Sequence, residues 1–143
     1  MKQNLLIILV LFLSVQLFGQ SFDEVKKRAE EGNANAQNSL GKMYFDGEGT
    51  LKNNEQSFFW YKKSAEQGIV DAQIIIAQMY SLGVGTLKDD KQALYWYKKC
   101  AEQGVAQAQY FVALMYYNGS GTLEDDKQAL YWYKKCAEQG SAS

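Results

Sequence analysis

The stretch that decides the fold is TLKDDKQALYWYKKCAEQG, residues 86–104. It returns at residues 122–140 as TLEDDKQALYWYKKCAEQG, in which the only substitution is Glu124 for Lys88. A more divergent copy, TLKNNEQSFFWYKKSAEQG, occupies residues 50–68, so that the period is 36 residues throughout. A fixed period of this length is typical of helical repeats that stack into a solenoid.

The second half of each unit has the pattern of an amphipathic helix, which we call helix B. Its apolar positions recur at spacings of three and four residues, as expected of one buried helical face. In the quoted copy they are Ala93, Trp96, Tyr97, Cys100 and Ala101. Asp89 is a favoured N-cap residue with Gln92 three residues later, and the glycine ending each copy can adopt the left-handed conformation of a helix C-terminus. These glycines are Gly68, Gly104 and Gly140.

A second apolar stripe opens each unit and predicts another helix, which we call helix A. In the third unit its members are Ala108, Val112, Met115 and Tyr116. A small residue recurs inside helix A at Gly41, Ala77 and Ala113, and we expect helices A and B to approach closely there. The loop between helices A and B carries two glycines in each copy, for example Gly83 and Gly85, which predict a C-cap and a second backbone bend.

Together these patterns predict an all-α solenoid, because one hairpin cannot bury its own apolar faces whereas stacked hairpins can. We expect the solenoid to cover residues 20–143, with a capping helix at 22–31 and repeats at 33–68, 69–104 and 105–140. The last helix B is not followed by another complete unit, and we expect part of its apolar face to be uncovered. The residues concerned are Leu130, Trp132 and Tyr133.

The N-terminus has the composition of a cleavable signal peptide, predicted at residues 1–19. Lys2 precedes an apolar run at residues 5–15, and Gly19 marks the expected cleavage site. The run is too short to span a bilayer, which takes about 20 apolar residues. We therefore expect a secreted or periplasmic protein without stable membrane insertion after cleavage.

The composition argues against several classes of function. A net charge of −1 gives no bulk attraction to nucleic acids, so a nucleic-acid partner is not expected. The absence of histidine removes the usual triads and most zinc sites, and we predict no catalytic residues, no metal site and no cofactor. Cys100 and Cys136 are one repeat apart, about 8–10 Å between stacked helices, and a disulfide needs less than about 7 Å. We expect buried free thiols.

The chain resembles the Sel-one-like repeat (SLR) family, which is related to tetratricopeptide solenoids. The residues that carry the resemblance in the first full unit are Ala36, Leu40, Gly41, Tyr44, Gly47, Gly49, Trp60, Tyr61, Lys63, Ala65 and Gly68. The second unit departs from the pattern at Ile76, Ala77 and Cys100. The resemblance implies a right-handed α/α superhelix with A helices on a concave face, and a role in scaffolding or protein–protein interaction.

The residues of helix A that do not face the predicted core are the candidate partner-binding site, on the concave face. They differ between units while the core stays constant, and the third set is rich in apolar and aromatic side chains, as in interaction hot spots. They are Asn38, Lys42, Phe45, Ile74, Gln78, Ser81, Tyr110, Leu114 and Tyr117. The predicted function is an exported, non-catalytic module that binds a protein or peptide.

Two alternatives remain open. Ser39 and Lys42 form an S-x-x-K match, and a cysteine-rich secreted subgroup of the SLR family is associated with β-lactams. An envelope enzyme acting on β-lactam or cell-wall substrates is therefore one alternative. The other is a structural array that self-associates through its C-terminal helix.

Overall fold

The computed structural model describes residues 21–140, and over that range the chain is helical. Its helices are α1 (Phe22–Glu30), α2 (Ala34–Asp46), α3 (Asn54–Glu66), α4 (Val70–Leu82), α5 (Asp90–Glu102), α6 (Ala106–Asn118) and α7 (Asp126–Gly140). The A helices are α2, α4 and α6, and the B helices are α1, α3, α5 and α7. The predicted all-α repeat solenoid is confirmed. The predicted signal peptide at residues 1–19 lies outside the described residues.

Local signals place the ends of the helices as expected. The side chains of Asn53, Asp89 and Asp125 each accept a hydrogen bond from the backbone N–H three residues later, at 2.9–3.0 Å, and so cap the three full-length B helices. Gly83 ends α4 in the left-handed conformation and donates its N–H to the Met79 carbonyl. No helix among residues 21–140 has the length and apolar character needed to cross a membrane.

The core runs along the stack because each helix packs against the helices before and after it in the chain. One cluster of buried side chains lies between α1, α2 and α3 and includes Val25, Leu40 and Trp60. The other continues from Tyr61 through Ile76 and the remaining repeats to Trp132. The predicted close approach of the helices of one unit is present in the first repeat, where a Cβ on Gly41 would lie 2.8 Å from the ring of Tyr61.

The second glycine of the loop between helices A and B fixes how neighbouring repeats stack. Gly85 has a φ of +68°, and a Cβ at that position would lie 2.0 Å from the carbonyl oxygen of Asn54, in the first turn of the preceding B helix. Gly121 repeats the arrangement against the carbonyl oxygen of Asp90, at 2.3 Å. This glycine therefore does more than bend the chain, since it lets the loop of one repeat contact the backbone of the previous one.

A row of buried glutamines was not predicted from the sequence. Gln37, Gln73 and Gln109 each donate a hydrogen bond from Nε2 to a backbone carbonyl eight residues earlier, at 3.0–3.2 Å. These bonds join each A helix to the end of the B helix before it. A buried amide that is hydrogen-bonded in this way avoids most of the cost of desolvation.

Two expectations for the last helix are corrected. Trp132 is 6% exposed rather than partly uncovered, because it packs into the core cluster together with Trp96. The exposed position is Leu130, at 55%, with Tyr133 partly buried. Gly140 is itself the last residue of α7 and lacks the positive φ that Gly104 has just after α5.

Candidate functional site

The nine predicted site residues lie on the A helices α2, α4 and α6, and none of them is buried. In contrast, the core residues Leu40, Ile76 and Val112 on the same helices are fully buried. We call the solvent-facing side of these three helices the A-helix surface. The predicted residues lie in four places on the molecule: two pockets, a polar depression and a tyrosine cluster.

The first pocket has a volume of about 210 Å³ and lies where the first and second repeats meet. Its lining residues are Phe45, Tyr61, Ile75, Gln78, Met79, Leu82 and Val84. Phe45 comes from α2 and is covered by the ammonium group of Lys52, 4.9 Å from the ring centroid. The pocket is apolar, and this ring forms part of its wall.

The second pocket is the equivalent of the first, one repeat further along, with a volume of about 500 Å³. Each residue lining the first pocket has its counterpart, 36 positions later, among the residues lining the second. The floor keeps the same residue types, with Tyr97 and Met115 in place of Tyr61 and Met79. The walls differ, because Ser81 occupies the position of Phe45.

The rim of the second pocket is more polar than that of the first. Asn118 and Ser120 stand where the first pocket has Leu82 and Val84. Lys88 and Asp90 also line the second pocket and form an ion pair at 3.6 Å. A volume of 500 Å³ falls within the range of about 300–1,000 Å³ that is common for ligand pockets, whereas the first pocket is below it.

The polar depression lies next to the first pocket and has a volume of about 420 Å³. It contains the predicted residues Asn38, Lys42, Ile74 and Gln78. Gln78 borders the two pockets and this depression, so the three concavities form one continuous part of the A-helix surface.

Tyr110 and Tyr117 lie apart from these pockets. The ring of Tyr110 is 5.9 Å from that of Tyr133 on α7, so it is partly engaged within the fold and 47% exposed. Burial raises the pKa of Tyr133, and the neighbouring Tyr110 and Tyr117 raise that pKa further. The three tyrosines therefore form a separate cluster at the end of the A-helix surface.

Sequence reasoning missed several residues of the second pocket, among them Lys88, Asp90 and Phe111. Phe111 stacks on Tyr97 with ring centroids 4.8 Å apart, and it forms part of the apolar wall. One signal was available in the sequence. Lys88 is the position at which the nearly identical stretches 86–104 and 122–140 differ.

In the S-x-x-K match, the lysine is engaged by a carboxylate of its own helix. Lys42 donates a hydrogen bond to the carboxylate of Asp46, and this bond, followed by the charge of Asp46, raises the pKa of Lys42. A lysine that activates a serine must give up its proton, and the hydrogen bond to Asp46 favours the protonated form of Lys42. Ser39 is exposed in the polar depression.

The two thiols are free but differ in exposure. Cys100 is fully buried, its Sγ lies 3.4 Å from Oε1 of Gln73, and burial raises its pKa to about 11. Cys136 is only partly buried, so the expectation of a buried thiol is correct for Cys100 and wrong for Cys136. The reason is that helix α6 packs over α5, whereas no described helix follows α7.

Comparison with known proteins identifies the repeat. The sequence model of the Sel1 repeat matches residues 34–69, 70–105 and 106–141. No curated protein sequence matches the chain. The resemblance inferred from the sequence is confirmed.

Among solved structures, c5321, a protective antigen present in uropathogenic Escherichia coli strains and displaying an SLR fold, is 38% identical with a TM-score of 0.80. The alignment covers 85% of this chain and 26% of that one. A Sel1 repeat protein from Oxalobacter formigenes is 37% identical with a TM-score of 0.73, over 82% of this chain and 48% of that one. The chain thus spans about a quarter of the length of the first protein and about half of the length of the second.

Cysteine-rich protein B from Helicobacter pylori is 21% identical with a TM-score of 0.60. The alignment covers 85% of this chain and 92% of that one. This similarity concerns the fold alone.

Proposed function

The chain belongs to the Sel1 repeat family, and we propose that it is a non-catalytic scaffold that binds a segment of another protein along its A-helix surface. Proteins of this family are typically protein-interaction scaffolds and are mostly non-catalytic. The observation that carries the proposal is the pair of equivalent pockets, joined through Gln78, in which the floor is constant and the walls vary.

Constant floors and variable walls are what a binding surface built on a repeat requires. Tyr61 and Tyr97 hold the packing of the repeats, so they cannot vary without loss of the core. The wall residues project from the stack, and their variation changes the shape and polarity of each pocket at little cost to stability. An extended segment running along the stack would place its side chains in successive pockets.

The absence of catalysis is part of the proposal. In its support, the bond from Lys42 to Asp46 leaves Ser39 without a neutral lysine as base. We also propose that the protein is exported, on the basis of the signal peptide predicted at residues 1–19. The N-terminus of the protein purified from its own cells, read by mass spectrometry, tests export, and an intact residue 1 would contradict it.

Binding along the A-helix surface is tested by site-specific photocrosslinking in cell extracts. A benzoylphenylalanine placed at Gln78 should give a discrete adduct with a partner protein. The matched control is the same group at Glu66, an exposed residue of α3. Adducts of equal yield from both positions, or from neither, would contradict the proposal.

The tyrosine cluster extends the same test. The double variant Tyr110→Ala and Tyr117→Ala is expected to weaken the adduct from position 78 without loss of helical circular dichroism, because both rings are about half exposed or more. An unchanged adduct would remove these two residues from the partner-binding site.

A second candidate function is self-association through α7, and one observation favours it. Leu94 on α5 is 8% exposed and belongs to the core cluster, whereas its equivalent on α7, Leu130, is 55% exposed. A second copy of the chain could cover Leu130. The oligomeric state of the protein in solution tests this candidate.

A further inference from the structure

The first pocket shows which kind of side chain fits at the wall position that Ser81 occupies in the second pocket. The ring of Phe45 stands at its wall, and Lys52 places its ammonium group 4.9 Å above the ring centroid. A cation over the face of a ring is attracted by the ring's quadrupole. The first pocket therefore holds an aromatic ring together with its electrostatic complement, both supplied by the protein.

The second pocket has the equivalent lysine but lacks the aromatic ring that Phe45 supplies in the first pocket. Ser81 replaces Phe45, and the volume increases from about 210 to about 500 Å³. Lys88 stands at the position of Lys52, and its ammonium group is paired with Asp90 at 3.6 Å. Among residues 21–140, no aromatic ring is seated beneath Lys88.

We propose that the second pocket binds a phenylalanine side chain of the partner segment, which takes the place that Phe45 has in the first pocket. This inference rests on the proposed function and names the chemistry of the partner. The phenyl ring would lie between the stacked rings of Tyr97 and Phe111 on one side and the ammonium group of Lys88 on the other.

Other side chains satisfy the pocket less well. An aliphatic side chain would fill the apolar volume but would offer Lys88 no π face. A carboxylate would attract Lys88 but would be placed beside Asp90 and the apolar wall of Phe111 and Leu114, where burial of a charge is costly. A phenyl ring is complementary to both the apolar floor and the cation.

The test uses N-acetyl-phenylalanine amide as the probe and the full-length protein labelled with ¹⁵N. We expect saturable shifts of the backbone signals of Ser81, Phe111 and Leu114. N-acetyl-leucine amide should bind about two- to fivefold more weakly, the ratio expected from an exposed cation–π contact. Equal affinity for the two amides, or shifts spread over the whole chain, would overturn the proposal.

Two reciprocal variants use the equivalence of the pockets. Ser81→Phe places a ring at the position that Phe45 has in the first pocket and should remove the probe-induced shifts at Leu114. Phe45→Ser removes that ring from the first pocket, beside Lys52, and should create a second site for the phenyl ring, seen as new shifts at Ile75. Because Phe45→Ser predicts a gain of binding, the proposal remains testable even if Ser81→Phe destabilises the protein. Failure of Phe45→Ser to gain a site, with the fold retained, would contradict it.

The outcome separates this inference from the proposed function. Retained crosslinking at Gln78 without phenylalanine selectivity would overturn the inference alone. Phenylalanine selectivity without a crosslinked partner would overturn the proposed function and leave only the preference of the second pocket for a phenyl ring.

Discussion

Replacing Gly85 with alanine tests the contact that holds successive repeats in register. Gly85 lies in the loop that also supplies Val84 to the first pocket, so its position affects the A-helix surface. Its neighbour Gly83 has almost the same φ, +69° against +68° for Gly85. The variants Gly83→Ala and Gly85→Ala therefore both place alanine at a positive φ, and they differ in what the new methyl group meets.

The magnitude follows from the surroundings of the two glycines. A left-handed conformation costs a residue other than glycine about 1–3 kcal/mol, and this cost applies to both variants. At Gly83 the nearest atom to the added Cβ is the backbone nitrogen of Lys88 at 3.3 Å, a tight but tolerable contact. At Gly85 it is the carbonyl oxygen of Asn54 at 2.0 Å, so the first turn of α3 must move. Overpacking of this kind costs a further ~1–3 kcal/mol.

Urea unfolding, followed by circular dichroism and tryptophan fluorescence, measures this difference. With a slope of about 2 kcal/mol per molar urea, a difference of about 2 kcal/mol lowers the midpoint of Gly85→Ala by about 1 M relative to Gly83→Ala. Gly121→Ala, whose Cβ would lie 2.3 Å from the Asp90 carbonyl oxygen, should behave like Gly85→Ala. If the two midpoints for Gly83 and Gly85 coincide, the close approach between the loop and α3 is wrong.

Two further predictions concern the thiols and the last helix. At pH 8 a thiol reagent should label Cys136 rapidly in the native protein and Cys100 only on unfolding. The reason is that Cys100 is buried, which raises its pKa to about 11. Rapid labelling of both thiols in the native protein would contradict this prediction. If the protein dimerises in sedimentation velocity experiments, Leu130→Lys should abolish the dimer, whereas Gln128→Lys, which adds the same charge at an exposed position on another side of α7, should not. A monomer at all concentrations would remove self-association.

The class of the fold and the ends of its helices could be predicted from the sequence, because the signals for them are local. Asp89 caps α5 through a bond to the N–H of Gln92, only three residues away, and the spacing of Trp96, Tyr97 and Cys100 defines a face within two helical turns. The period of 36 residues then fixes the architecture, since identical units stack in identical ways.

Residues whose role depends on another repeat could not be predicted. Gln73 reads as a polar surface residue, yet it is fully buried, and its amide donates a hydrogen bond to the carbonyl of Ala65 at 3.0 Å. Trp132 on the last B helix reads as partly uncovered, yet it packs into the core cluster that also contains Trp96. Whether such a side chain is buried depends on how its helix is rotated about its own axis relative to the neighbouring helices.

The sequence by itself therefore determined a helical repeat with a constant core and a variable row on helix A. Only the tertiary structure decided that Ser81 opens a pocket under Lys88 and that Gly85 contacts Asn54. The physical reason is distance along the chain. Caps and helical faces are set by residues within two turns, whereas these contacts join elements whose separation in space depends on how the repeats pack.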